Sequence, residues 1–176
     1  TVNEPDAGQT GFRVPANLNG SYGTFTFNAS TGAWGYNLDS AKSDSLIAGQ
    51  TVNDRLTVKS YDGTATHTIT VAIAGSNDAP TITSGGSVTV AENAAQSTVV
   101  YTAAGSDPDA GDKISWSLSG TDAGKFDIGT NDGKVTLKVS ADYETQSSYS
   151  FKVVATDKVG QATIKEVTLA VTNVNE

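Results

Sequence analysis

The sequence predicts an all-β protein made of two tandem antiparallel β-sandwiches, the first lacking its N-terminal strand. Three observations carry that prediction. Short apolar runs alternate with Thr, Ser and other polar residues at a period of two, as half-buried strands do. Turn-forming pairs interrupt them at close intervals. One ordered set of landmarks also occurs twice within 176 residues, and such self-similarity marks tandem units.

Taken in chain order, Phe25-Thr26-Phe27, Trp34 to Leu38, Leu56-Thr57-Val58 and Thr68 to Ile73 are the strands expected in the first copy. Val88-Thr89-Val90, Ile114 to Leu118, Val135 to Val139, Tyr149 to Val154 and Val167 to Val171 are those of the second. Asn19-Gly20, Thr31-Gly32, Asp62-Gly63 and Asp132-Gly133 are the turns between them. No segment has convincing helical periodicity, and the Thr, Val and Gly content disfavours helix.

The repeat is anchored at four places. Glu4-Pro5-Asp6-Ala7-Gly8 resembles Asp107-Pro108-Asp109-Ala110-Gly111, and Phe25 precedes Gly32 by seven residues as Phe126 precedes Gly133. Asp62 with its glycine recurs as Asp157 with Gly160, and Ile69, Val71, Ile73 with Asn77-Asp78 recur as Val167, Leu169, Val171 with Asn175-Glu176. The expected organisation is a sandwich over residues 1–77, a linker at 78–80 and a second sandwich over 81–176. The first copy has no counterpart of residues 81 to about 103, and an uncovered sheet edge invites pairing with another chain.

Composition narrows the function. Net charge is −8, and the 11 Lys and Arg form no run, so nucleic acid is excluded as a partner. Cys is absent and His67 is the one histidine, so zinc has no ligand set. Met is also absent, so soft-metal sites are missing as well. No apolar run is long enough to span a membrane. No signal peptide opens the chain, as expected of an internal slice of a longer protein.

The acids are not scattered. Glu4 and Asp6, Asp62, Asn77-Asp78, Glu92, Asp107 and Asp109, Asp142 and Glu144, Asp157 and Asn175-Glu176 all fall where strands end. In a sandwich, alternate loops gather at opposite poles, so oxygens from several loops can be pooled there. Ca²⁺ takes six to eight oxygens from carboxylates, carbonyls and water. A D-x-D turn, an Asp from a neighbouring loop and linker carbonyls supply that set. Asp122, Asp127 and Asp132, taken singly, are ordinary turn residues.

These motifs carry a resemblance. Ala91-Glu92-Asn93, Asp107-Pro108-Asp109, Asp142-Tyr143-Glu144, Ala155-Thr156-Asp157 with Gly160, and Asn173-Val174-Asn175-Glu176 make residues 81–176 similar to a bacterial cadherin-like domain, an Ig-like sandwich. Tyr22-Gly23-Thr24-Phe25, Gly32 to Asp39, Asp62-Gly63-Thr64 and Gly75 to Pro80 make residues 1–80 resemble the VCBS repeat of RTX-type adhesins. The resemblance implies calcium at each junction. At the internal joint it implies Asn77 and Asp78 with Asp107, Asp109 and Asp157, and Asp39 from the first copy. Glu92, Asp142, Glu144, Asn175 and Glu176 would be half of a site completed by the next repeat; Glu4, Asp6 and Asp62 would face the preceding one. The first copy has no counterpart of Glu92, and Ser40-Ala41 follow Asp39 where Tyr143-Glu144 follow Asp142, which implies fewer ions at the internal joint.

The expected function is therefore mechanical: a calcium-rigidified stalk module of a large secreted adhesin on the bacterial cell surface, serving attachment or biofilm formation, with neighbouring repeats as its partners. It is not expected to be an enzyme. His67, on the same strand face as Ile69, reads as an exposed or partly buried strand residue rather than a catalytic base. Trp34 and Trp116, with Tyr22, Tyr36, Tyr61 and Tyr143, have the alternating context of core or half-buried faces. The alternatives are a glycan- or peptide-binding module and self-association by strand exchange through the incomplete first copy.

Overall fold

A computed structural model describes residues 10–174. The chain divides into two compact units, Thr1–Asn77 and Asp78–Glu176. Nearly all regular structure is strand. A single helical turn, α1 (Ser40–Ser43), and a 3-10 turn at Ala123–Lys125 are the exceptions.

Unit 1 contains β1 (Gly23–Phe27), β2 (Trp34–Leu38), β3 (Thr51–Lys59) and β4 (Thr66–Ala74). β1 pairs with β2, and β3 with β4, both antiparallel. Gly32 and Gly63, at two of the expected turns, have positive φ (73° and 83°), a conformation glycine adopts without steric cost. The two ribbons enclose a small core of Phe25, Leu56, Val58 and Ile69. Phe25 meets Tyr36 edge to face, with ring centroids 4.9 Å apart.

A buried carboxylate ties these ribbons together. Asp54, on β3 and 2% exposed, accepts the backbone N–H groups of Ser21 and Tyr22, each at 2.8 Å, and the Tyr36 hydroxyl at 2.5 Å. A Cβ on Gly20 would stand 2.1 Å from Asp54 Oδ2, so this turn needs glycine to let the carboxylate in. Burial alone would raise the Asp54 pKa. The Tyr36 hydroxyl and the N–H groups of Tyr22, Ser21 and Gly23 outweigh it and hold the carboxyl below its ordinary value. Burial, with the Asp54 hydrogen bond and charge, pushes Tyr36 up to about 12.

Unit 2 is fuller. Its strands are β5 (Thr81–Ile82), β6 (Ser87–Ala91), β7 (Val99–Thr102), β8 (Gly105–Ser106), β9 (Ser115–Ser119), β10 (Phe126–Ile128), β11 (Lys134–Leu137), β12 (Ser148–Thr156) and β13 (Ala162–Thr172). One sheet has the order β6-β13-β12-β9, the facing one β10-β11-β7, and β5 pairs with β8. Alternation on β12 turns Tyr149, Phe151, Val153 and Ala155 inward, and β13 adds Val167, Leu169 and Val171. Phe126 fills the centre, 4.7 Å from Phe151 and 5.5 Å from Tyr149. Full burial of each such side chain contributes about 1.5–3 kcal/mol.

The sandwich expectation holds, with additions. β6 runs parallel to β13, which the long excursion through the facing sheet permits. β5, β7, β8, β10, α1 and the 3-10 turn were not among the expected elements; these strands are too short to show a period. Trp34 departs from the core expectation: it is 50% exposed. It is in register with Phe27, but at that end the ribbons leave an open hollow also lined by Phe12, Val58, His67 and Ile69. Tyr61, in the β3–β4 turn, is likewise exposed, and so is Tyr143. Trp116 is buried as expected, and His67 is an exposed strand residue.

Asp54→Ala should destabilise unit 1 by about 2–4 kcal/mol, since it strands three donors of a charge-assisted network. Hydrogen–deuterium exchange should accelerate across β3 and β4. The pH dependence has two edges. The depressed Asp54 pKa contributes stability that is present above the ordinary 3.8 and lost as pH falls below it. The raised Tyr36 pKa contributes stability present below 10.0 and lost as pH climbs towards about 12.

Candidate metal centre

The pairing of β9 with β12 sets up one pole of unit 2. Ser115 lies opposite Thr156, and Ser115 Oγ donates to the Thr156 carbonyl at 3.1 Å. The loop before β9 therefore arrives beside the turn after β12. That loop carries Asp107, Asp109 and Asp112; the turn begins with Asp157.

Each segment is fixed by its own hydrogen bonds. Asp109 N–H donates to Asp107 Oδ1 at 2.9 Å, an Asx turn, and Asp112 N–H donates to the Asp109 carbonyl at 3.2 Å. Gly111 takes φ 83° to close the bend. Asp78 N–H donates to Asp109 Oδ2 at 2.8 Å, binding the first residue of the unit to the loop. Asp157 Oδ1 accepts the N–H groups of Val159, Gly160 and Gln161 at 2.9, 2.6 and 2.8 Å.

One oxygen from each of Asp107, Asp112 and Asp157 falls within 4.8 Å of the others, the one such group of three among the described residues. Asp109, 2% exposed, and Asp157, 5% exposed, are buried. Three buried carboxylate oxygens have no hydrogen-bond partner: Asp107 Oδ2, Asp109 Oδ1 and Asp112 Oδ2. Burial, followed by the charges of Asp109, Asp112 and Asp157, raises the Asp107 pKa against the opposing Asp109 N–H bond. Buried, partnerless carboxylate oxygens are costly. Hard oxygens converging at one place are what a divalent cation such as Ca²⁺ coordinates, so the donor set fits that ion.

Asp107 and Asp157 of the sequence-derived set are thus brought together, and Asp109 adjoins them through its N–H bond to Asp107. Asp112 and Lys158 were missed. Lys158 Nζ pairs with Asp112 Oδ1. The signal for Asp112 was in view, since it falls three residues after Asp109 in the same loop, but the D-x-D spacing drew attention to the first two acids alone.

The opposite pole is built by the parallel pair: Ala91 lies beside Thr172, which brings Glu92 next to the end of β13. Glu92, buried, accepts Val174 N–H through Oε1. Asn173 Nδ2 donates to Glu144 Oε1 at 3.0 Å. Asp142 is engaged by Thr145, whose N–H and hydroxyl donate at 2.9 and 2.6 Å. Asn175 and Glu176 lie outside the described residues.

In unit 1, Asp62 accepts the Ser60 hydroxyl at 2.5 Å and the Thr64 hydroxyl at 2.6 Å. Those bonds, with the Thr64 N–H, depress its pKa to about 2. Asp39 is exposed and 3.6 Å from Lys42. Neither joins a group of three acids among the described residues; Glu4 and Asp6 lie outside them.

In EDTA, Asp107→Asn should raise the melting temperature by several degrees, because it removes one of four crowded acids and supplies donors. A 1 kcal/mol gain corresponds to about 4–8 °C in a unit of this size.

The cadherin domain family model matches residues 86–174, half of the chain. In an alignment of 119 residues that covers 64% of the chain, it is 37% identical to Protocadherin Fat 4 of Mus musculus and equally to that of Homo sapiens. It spans 2% of either relative. Among solved structures it resembles protocadherin gamma B7 domains 1-4 (TM-score 0.61, 20% identity, 88% of this chain and 40% of that one). It also resembles mouse cadherin-23 EC22-24 (TM-score 0.58, 22% identity, 85% and 50%) and Drosophila N-cadherin EC1-4 (TM-score 0.54, 21% identity, 99% and 44%). At those identities the structural likeness concerns the fold. By the family match over residues 86–174, the chain belongs to the cadherin domain family.

Proposed function

We propose that the chain is a calcium-dependent extender module of a large extracellular adhesin, stiffened by cations held at the poles of its units. The observation that carries this reading is the trio of buried carboxylate oxygens without partners at Asp107, Asp109 and Asp112. Cadherin domains bind calcium in general. Here Asp107, Asp109, Asp112 and Asp157 would hold the ion. Asn77, Asp78 and Asp39 are the further ligands assigned to the joint. The ion would neutralise the carboxylates and fix the Asp107–Asp112 loop against the Asp157 turn. Glu92, Asp142, Glu144, Asn175 and Glu176 are assigned to a following repeat, and Glu4, Asp6 and Asp62 to a preceding one.

Placement in a secreted bacterial surface adhesin of the RTX type, with residues 1–80 as a VCBS-like repeat, belongs to the same proposal. Its support is the motif series from Tyr22 to Pro80. The absence of Cys is consistent with cations, rather than disulfides, as the stabilising cross-links. Among the described residues, no helix is long and apolar enough to cross a membrane. No catalytic role is proposed.

Small-angle X-ray scattering in millimolar calcium and in EDTA, with parallel melts, tests the reading. Calcium should lengthen and stiffen the particle. It should also stabilise unit 2 by about 2.7 kcal/mol at a hundredfold excess over Kd. Asp109→Ala or Asp157→Ala should abolish most of that gain. Unchanged scattering and melting on calcium addition would remove the reading.

A second reading, a glycan-binding module, is favoured by Trp34. This half-exposed indole flanks an open surface hollow with Phe27, Asn28 and Ala29, as a sugar-stacking platform requires. A glycan-array signal lost in Trp34→Ala would support it; an array with no Trp34-dependent signal would remove it.

A further inference from the structure

The four carboxylates of the candidate centre are not without a counter-charge. The turn that presents Asp157 also presents Lys158, and its geometry is pinned by the three N–H groups donated to Asp157 Oδ1. From that turn the Lys158 side chain, 54% exposed, reaches Asp112, whose side chain is fully buried. The ammonium pairs with Asp112 Oδ1, while Asp112 Oδ2 is left without a hydrogen-bond partner. One oxygen of the buried acid is therefore held by a cation belonging to the chain and the other has no partner, while the carboxylate lies within 4.8 Å of an oxygen from each of Asp107 and Asp157.

We infer that Lys158 is a tethered counter-ion that occupies Asp112 when no divalent cation is bound and is displaced when one enters. This rests on the calcium reading above and adds a determinant of its affinity and selectivity. An ion drawing on Asp112 meets the positive charge of Lys158 at the same carboxylate, so binding is a competition with the chain's own ammonium. A monovalent ion brings no more charge than the ammonium already there. A divalent ion brings twice as much and uses the partnerless oxygens that Lys158 leaves unsatisfied. Lys158 thus lowers affinity for every cation, and for monovalent ions to the point of exclusion. The half-exposed stem lets the ammonium swing into solvent without disturbing the core.

The test is calcium titration calorimetry on the whole chain, comparing wild type with Lys158→Gln and Lys158→Arg. Mass-spectrometric measurement of acetic anhydride labelling at Lys158 accompanies it, with and without calcium. Lys158→Gln should bind calcium about three- to fivefold more tightly, the upper part of the range of a partly exposed ion pair. It should also gain sensitivity to added sodium. Lys158→Arg should stay within about twofold of wild type, because the charge is retained. Labelling of Lys158 should be slow in EDTA and fast in calcium.

If wild type binds calcium but Lys158→Gln binds it equally and labelling does not change, this inference is overturned and the calcium centre stands. If neither protein binds calcium, both fall together. If wild type shows no heat and Lys158→Gln binds, the competition is supported in its strongest form.

Discussion

The antiparallel ladder between β12 and β13, nine residue pairs from Ser148–Ala170 to Thr156–Ala162, governs the arrangement of unit 2. Its inward side chains form the centre of the core, and β9 and β6 attach to its two outer edges. The two ends of the ladder define the poles. At one end the ladder closes in the turn of Asp157 and Lys158, with β9 delivering the Asp107–Asp112 loop alongside. At the other, β13 runs out beside β6, which delivers Glu92. A single hydrogen-bonded register therefore fixes which acids are neighbours.

What distinguishes the two poles is how completely their acids are satisfied within the chain. Glu92 has a backbone donor, Glu144 has the Asn173 amide and Asp142 has Thr145. The Asp107–Asp112 loop spends the N–H groups of Asp109 and Asp112 on holding its own bend, and leaves Asp107 Oδ2, Asp109 Oδ1 and Asp112 Oδ2 buried without a partner. Folding brings four acids into a partly desolvated site and supplies one exposed ammonium. The hydrophobic core, with Phe126, Phe151, Val153 and Leu169 at or near full burial, must offset that cost in the absence of an ion. A cation that bound only the folded unit would convert the same loop from a costly feature into a stabilising one.

The fold was legible to the extent that alternation was long enough to count. β12 and β13 alternate over nine and eleven residues, whereas β7 and β10 hold four and three, too few to separate strand from loop. Trp34 misled because alternation reports which side a residue faces, not whether another layer covers it. Asp107, Asp109 and Asp157 were expected from D-x-D spacing and the family resemblance. Asp112 and Lys158 were not, because their importance lies in a contact across 46 positions of sequence. Asp54 was invisible for a similar reason: only the fold brings the Ser21–Tyr22 turn and Tyr36 to it.

Comparison of Asp62 with Asp157 shows what makes an acid at a strand end a candidate ligand. Both lie in the turn between long paired strands, β3–β4 and β12–β13, at corresponding places in the repeat. Asp62 is exposed enough to keep both oxygens in local hydrogen bonds with Ser60 and Thr64, and those bonds depress its pKa without help from any ion. Asp157 places one oxygen on three backbone N–H groups, which fixes its position, and has an oxygen within 4.8 Å of those from two other acids. The residue type and its place in the repeat are the same; the neighbours differ. Sequence position alone therefore does not separate an acid satisfied by its own turn from one left without a partner. The discriminating quantity is the carboxylate oxygen that folding buries without giving it a partner, and within the described residues that condition is met at the Asp107–Asp112 loop.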